Sequence, residues 1–392
     1  PPRRLRDRPG RCATTVQGAR ELGRAEVSPP RDALADPIGM RMVILIAACS
    51  SPATPPAPPA PAEKPVVTDA APAGHKRWLA GDLHMHVAPP DTDDVTASIA
   101  DIAHAATEAG MDFIVLTPHV WDGEWDAHRA ERRKTWRTFA QAARAVASPT
   151  LIPGIEWTTR RGHFTVTGTD ISALDASDLL SAAHDAGGYI SVNHPFAVAT
   201  HIPKVRISDF DMSYRVWSER ATGFSAIDGA EVWNVPLGFA NLLVRPGGKT
   251  GEERTWLELD RVVHVEHRPV TAVGGTDDHH GHAMATTWVL ADDATEPSIL
   301  TALRHGATCV GGPEAGTFRA RGSGDWVAIG GNVIASTITL AWVGTARLYI
   351  DGVDRGELVD GFIHATGGAI HTYRIQLGRS RSGFIYANLP DA

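Results

Sequence analysis

The chain of 392 residues is poor in cysteine, with three: Cys12, Cys49 and Cys309. They lie far apart and form no CxxC pair, which excludes a disulfide framework and a thiolate zinc site. Cys309 reads as a small core residue. Long apolar runs are missing too: none reaches the ~18 residues that a helical bilayer span needs. Basic residues are not in excess. Lys and Arg number 37 against 45 Asp and Glu, a formal net charge of −8. That balance gives no electrostatic footprint for nucleic acid, so no nucleic-acid partner is expected. There is no Gly-rich phosphate loop of the P-loop kind and no Ser-His-Asp signature. What remains is a chain with 43% hydrophobic and 21% charged residues and an unusual 18 histidines. The first two figures suit a soluble globular protein with a sizeable core.

The N-terminal part reads as processing rather than fold. Residues 1–39 are rich in Arg, Pro and Ala without periodicity and are set aside as an upstream, non-structural segment. Residues 40–49 place Arg41 before a short apolar run that ends in Ala47-Ala48-Cys49. This resembles a bacterial lipoprotein signal, with Met40 as the start and Cys49 cleaved free and lipidated; the alternative is a short buried segment. Residues 50–75 are a Pro/Ala-rich stretch that would form an extended tether. The expectation is an extracytoplasmic lipoprotein, in the periplasm or on the outer membrane, that meets the membrane only through a lipid anchor at Cys49.

From Lys76 the pattern changes to apolar runs alternating with helix-like stretches, the signature of an α/β fold with a mainly parallel sheet or barrel. The spacing predicts strands over 78–83, 112–117, 151–155, 163–167, 189–192, 230–233 and 270–273. Helices are predicted over 95–109, 129–147 and 176–186. Nearly every strand end carries an imidazole or a carboxylate. His84 and His86 end the first run, His119 the second, Glu156 the third, His194 the fifth, and Asp277 and His279 the last; His163 opens the fourth. Chemistry collects at strand C-termini in parallel barrels. A lone strand-end histidine is more often merely hydrogen-bonded than a ligand. Many such groups aimed into one mouth, however, would repel or stay unpaired without cations. In the His84-Met85-His86 run, strand alternation sends both imidazoles to one face, where they can share an ion.

Taken in order, these motifs resemble the PHP superfamily of metal-dependent phosphoesterases and hydrolases. They are Asp82-Leu-His-Met-His86, Leu116-Thr-Pro-His119, Pro153-Gly-Ile-Glu156, the stretch from Gly162 to Gly168 around His163, Asn193-His-Pro195 and Gly275-Thr-Asp-Asp-His279. Asn193-His-Pro195 and Glu231-Val-Trp-Asn234 look most like the CehA/McbA-type branch. The resemblance implies a distorted seven-stranded, TIM-like β/α barrel over residues 76–312. It also implies one metal on His84, His86, Glu156 and Asp277, and a second on Asp94, His119 and His279. A third would share Glu156 and add His163 and His194. Asp94 is chosen over its neighbours Asp91 and Asp93 by its spacing from His86. Pro118 departs from the family, which often has Asp before this histidine.

The mixed nitrogen and oxygen ligands suit two or three Zn, Mn or Fe ions. Such ions lower the pKa of bound water from ~15.7 toward ~7, giving a nucleophile for phosphorus or a carbonyl carbon. Asp277 would accept a proton. The expected substrate is a small phosphorylated ester; a carboxylic or carbamic ester is the alternative, and a non-catalytic surface binding protein is a third reading. Arg160 and Arg161 would bind a phosphate, or form a solvated turn. Trp121, Trp125, Trp157 and Trp233 would stack on substrate, or pack the core. His201, His280 and His282 read as rim residues and His184 as structural. The long stretch 197–268 reads as an inserted cover over the site. Residues 313–392, rich in Gly and β-branched residues, predict a small all-β, sandwich-like C-terminal domain with a hairpin turn at Asp351-Gly352. The oligomeric state is left open.

Overall fold

A computed structural model describes residues 76–91, 95–121, 129–159, 162–174, 178–196, 227–235, 238 and 249–390. They all fall within one compact unit, Pro61–Ala392. The segments 1–39, 40–49 and 50–75 lie outside the described residues, and so do Cys12, Cys49, Asp94, Trp125, Arg160, Arg161 and His201.

The fold is mixed α/β. Strands β1 (Arg77–Met85), β2 (Phe113–Leu116), β3 (His119–Trp121) and β4 (Thr150–Thr159) are followed by β5 (Gly162–Thr167), β6 (Tyr189–Asn193), β7 (Gly229–Asn234) and β8 (Thr271–Gly275). Helices α1 (Ile99–Glu108), α2 (Arg129–Arg144), α3 (Leu179–Asp185) and α4 (Gly251–Glu266) punctuate them. Their starts are written locally. Ser98 caps α1 in a reciprocal box with Asp101, and Thr250 caps α4 in a box with Glu253. Helix α4 lies inside the stretch expected to be an inserted cover, much of which is outside the described residues.

Pairing runs β1–β2–β4 in parallel, then β4–β5 and β5–β6 antiparallel, then β6–β7 and β7–β8 parallel. A parallel bridge between Met85 and Asp278 links the end of β8 back to β1. The antiparallel β5 interrupts the mainly parallel order, with a consequence for the site. Its first residues lie beside the ends of β4 and β6, so His163 reaches the same rim from the start of its strand.

Strand alternation then sorts the residues. Ile155, Phe164, Val166, Ile190, Val192, Ala230 and Val232 pack outward with Trp136, Phe139, Leu259 and Val263 from the helices. Phe113, Val115, Ile152, Tyr189 and Val273 form a second apolar cluster with Leu79 and Leu83. On β4 and β6 the polar Glu156 and Asn193 follow Ile152 and Tyr189 at even spacing, so they share that second face, nearer the strand ends. An apolar floor with a polar mouth results.

Strand β9 (Thr287–Ala291) pairs antiparallel with β1. Helix α5 (Glu296–Arg304) follows, and then β10 (Thr308–Val310). Beyond it lie β11 (Arg319–Arg321), β12 (Val327–Ala328), β13 (Asn332–Val333), β14 (Thr337–Ile350), β15 (Val353–Ala365), β16 (His371–Leu377), β17 (Ser380–Ser382) and β18 (Ile385–Ala387). Strand β14 is one bulged strand, paired antiparallel with β15. The turn at Asp351-Gly352 forms as expected, with φ of 53° and 73°. These positive values at both central residues match the twist of a hairpin. Strand β17 pairs with β10, so the C-terminal strands continue the sheet of β1 and β9 rather than standing apart from it.

Candidate metal centre

Eight of the nine expected ligands fall within the described residues, and all eight converge. They form three overlapping groups: His84, His86, Glu156 and Asp277; His86, His119 and His279; and Glu156, His163 and His194. Within each group the ligand atoms lie within 4.8 Å of one another. The first and third groups are the expected sets. The second joins the expected His119 and His279 with His86; Asp94, expected there, lies outside the described residues.

The carboxylate placed at His119 is that of Asp91. Its Oδ2 lies 2.9 Å from His86 Nδ1 and 3.0 Å from His119 Nδ1, and accepts the His119 backbone N–H at 2.9 Å. Glu231, to which the sequence reading gave no site role, lies 2.9 Å from His84 Nδ1 and accepts the His194 backbone N–H at 2.7 Å. Both are buried. The close approach of Glu231 depends on Gly275, where an added Cβ would stand 2.3 Å from Glu231 Oε1 and 2.4 Å from the His84 Cβ.

An ionised carboxylate can only accept, so with a cation on Nε2 the remaining ring proton of His84 and of His86 would sit on Nδ1. The two Nε2 atoms face each other at 3.2 Å. Glu156 Oε1 lies 3.3 Å from His84 Nε2, and Asp277 Oδ1 lies 3.2 Å from His86 Nε2. Lone pairs and anionic oxygens converging in a buried space repel one another unless protons or cations lie between them. Carboxylate-anchored imidazoles with free Nε2 atoms are also the arrangement that orients metal-bound histidines. The residues therefore fit metal ions, and no ion identity or number follows from them.

Glu156 is the hub. Oε1 lies 3.1 Å from His163 Nδ1 and 3.3 Å from His194 Nε2, and Oε2 lies 3.0 Å from His119 Nε2. Asn193 orients it. Its Oδ1 accepts from the Thr165 N–H and hydroxyl at 3.0 and 2.9 Å, which turns its amide toward Glu156 Oε1 at 2.9 Å. Two of the centre's residues, His194 (φ 29°) and Asp277 (φ 57°), adopt left-handed backbone. Strain of this kind concentrates at functional sites. The backbone N–H of Asp277 is fixed on His84 O at 2.8 Å, and Thr276 donates its N–H to buried Asp82 at 3.0 Å.

With protons alone to balance it, the cluster polarises strongly. Burial opposes the charged form of His84, yet Asp277, Glu156 and Glu231 hold its pKa well above the ordinary value. Burial likewise opposes charging of His119, but hydrogen bonds to Asp91 and Glu156 raise it to about 10. Burial would raise Glu156 and Asp277; the neighbouring imidazoles, His84 foremost, instead hold both well below the carboxylate range. Burial alone dominates at Asp82, raising it to about 7 against its hydrogen bonds.

Other expected residues separate. Trp157 is core and Trp121 is 43% exposed beside the centre. His280 and His282 stand on the rim, their backbone N–H groups both donating to Asp278 Oδ1 at 2.8 Å. His184 sits on α3, away from the centre. Glu231→Gln should lower metal affinity about 10–100-fold, the scale for losing a carboxylate behind a metal-bound histidine. Titration with a chromophoric chelator reads this, and unchanged affinity would remove Glu231 from the centre.

No family model and no curated protein matches the sequence. Among solved structures, a two-domain protein from Bacteroides vulgatus containing a predicted PHP-like metal-dependent phosphoesterase is 16% identical (TM-score 0.40), covering 78% of this chain and 92% of that one. The lesion-specific endonuclease PfuEndoQ from Pyrococcus furiosus is 14% identical (TM-score 0.35), covering 64% of each chain. Endonuclease Q in complex with a 27-mer duplex carrying an abasic lesion is 13% identical (TM-score 0.33), covering 58% and 57%. Likenesses this distant assign no activity. They do correct one expectation. A nucleic-acid partner was excluded on net charge, yet a DNA-bound endonuclease is among the similar structures, so that exclusion does not stand. Whole-chain charge is not the local potential at a site, where bound cations dominate.

Proposed function

We propose that this chain is a metal-dependent hydrolase of the PHP type, built on a seven-stranded barrel, and that it cleaves phosphate esters. The observation that carries the reading is the pair of carboxylate-anchored imidazoles, His84 and His86, whose Nε2 atoms meet at 3.2 Å beside Glu156 and Asp277. Bound divalent ions, with Zn, Mn and Fe suited to this ligand set, would supply a water of lowered pKa and positive charge for the electrophile's oxygens. The chain's own contributions are more specific. Glu156 belongs to two of the three ligand groups. Glu231 and Asp91 anchor Nδ1 of His84 and of His86, so that each ring turns its Nε2 toward the centre. Asp277, in left-handed backbone with its N–H fixed on His84 O, would be the residue to accept a proton.

The test is a substrate panel on metal-loaded protein: p-nitrophenyl phosphate, bis-p-nitrophenyl phosphate and naphthyl esters. Turnover of a phosphate, lost on chelation, is expected. Ester turnover with every phosphate untouched would move the assignment to carboxylic or carbamic esters. We also read Cys49 as a lipid anchor that holds the enzyme outside the cytoplasm. Cys49→Ser should release it from membranes, and unchanged membrane association would refute the anchor.

A further inference from the structure

Arg254 is a cation without a counterion at the rim of the candidate centre. Strands β7 and β8 are parallel, and their ends Asn234 and Gly275 lie level. Helix α4 joins them, so it runs back from the mouth and its first turn stands at mouth level. Arg254 belongs to that turn, and its guanidinium lies over the ring of Phe196, 4.1 Å from the centroid. Phe196 is buried and follows two residues after His194, one of the candidate ligands. Arg254 itself is exposed. The carboxylates nearest it along the helix are already engaged. Glu258 stands four residues on, the ordinary place for an ion-pair partner, but accepts from Arg261 Nε at 2.6 Å. Glu253 closes the capping box on the Thr250 N–H at 2.7 Å. Glu252 pairs with Arg381. Among the described residues, the Arg254 side chain makes no hydrogen bond and no ion pair.

A guanidinium on an aromatic face is held by the ring quadrupole, and that contact uses none of its five N–H donors. Arg254 is therefore kept as an open fork, the geometry that takes a carboxylate or phosphate through two parallel hydrogen bonds. Helix energetics do not account for it, since a cation in a first turn opposes the helix dipole. Pro195 and Phe196 separate the fork from His194, so the group that it meets is not the one held among the ligands. From this we infer that Arg254 is a specificity-determining residue that receives a second oxyanion of the substrate, a carboxylate or phosphate remote from the scissile ester. Resting on the hydrolase reading of the same centre, this role adds the class of group that the substrate carries at its far end. The chain's net charge of −8 supplies no general attraction for anions, so a preference for a second one has to arise locally.

Binding separates this from a packing role. Propylphosphonate is compared with phosphonopropionate and with trimethylene diphosphonate, and butyrate with glutarate. Each is titrated by calorimetry into metal-loaded wild type, Arg254→Lys and Arg254→Gln, and metal content is measured on the same samples. The wild type should bind at least one two-anion ligand about tenfold more tightly than its one-anion partner, the scale of a charge-assisted hydrogen bond. Which of the two phosphonates gains more tells a carboxylate from a phosphate. Arg254→Gln keeps a stem over Phe196 without the charge. It should abolish the preference and leave one-anion affinity and metal content unchanged, while Arg254→Lys should keep part of the preference. Equal affinity for one-anion and two-anion ligands in the wild type overturns the inference. So does an Arg254→Gln variant that retains the preference. A variant that weakens both kinds alike or loses metal overturns it too, and would assign Arg254 to holding Phe196 and His194. A preference confined to glutarate, with no phosphonate bound, would sink the phosphoester reading and leave the role of Arg254 intact; no binding of any of the five overturns both.

Discussion

Glu156→Ala should strip metal from two of the three ligand groups and abolish hydrolysis. The side chain is 1% exposed and reaches five imidazoles: His84, His163 and His194 on Oε1, and His86 and His119 on Oε2. It belongs to two of the three ligand groups, so one truncation removes a ligand from two positions at once. What remains is a set of imidazoles packed around a cavity with less negative charge to balance cations. Losing one preorganised electrostatic group costs about 10²–10³ in turnover, and loss of a shared ligand should exceed that. Metal per chain, read by elemental analysis, should fall to at most the share held by the remaining group. Glu156→Gln keeps the shape and an oxygen acceptor for Asn193 but not the charge, so it should fail nearly as badly. Full metal content in either variant would refute the centre as drawn.

Removing the metal altogether should make stability depend on pH in the alkaline direction. In the metal-free protein His119 is raised to about 10 from an ordinary 6.5, and His84 and His194 are raised in the same direction. A raised group binds more protons folded than unfolded, so its contribution is full below pH 6.5 and is lost as pH climbs through the folded value. The apo-protein should therefore weaken steadily between pH 6.5 and about 10. Glu156 and Asp277 are held low, so their contribution persists at neutral pH and is lost on acidification. In the loaded protein cations take the place of those protons. Its melting temperature should hold on the alkaline side and fall on the acid side, where protons compete for the ligands. At free metal ~1,000 times Kd one site adds about 4 kcal/mol, enough to separate loaded and stripped melting curves by roughly 10 °C at alkaline pH. Curves that coincide across the range would sink this picture.

The parts legible from sequence are those set by short-range periodicity. His84 and His86 share a face because β1 alternates, and both contribute to one ligand group. Asn193 ends β6, and Glu156 follows the apolar run of β4, although that strand continues to Thr159. Helix starts such as Ser98 and Thr250 are likewise local, since a cap needs only its own next turn.

What went unread has long-range causes. Three aspartates, Asp91, Asp93 and Asp94, follow His86 within a few residues, and spacing alone favoured Asp94, which lies outside the described residues. The fold brings Asp91 to Nδ1 of both His86 and His119, residues that local spacing does not join. Glu231 is 147 residues from His84, and nothing local marks a strand-end glutamate as its partner. Strands β9 and β10 and helix α5 carry no ligand and went unread, yet they join β1 to the C-terminal sheet.

The sequence by itself determined which side chains can bind a cation and that many of them end strands, because side-chain chemistry and a period of two are properties of a few consecutive residues. Only the tertiary structure decided which of them meet. The antiparallel β5 brought His163 to the mouth, Gly275 admitted Glu231 against His84, and Trp121 was left uncovered beside His119. Each of these depends on where two strands distant in sequence are placed, and that is fixed by packing of the whole chain rather than by any one segment.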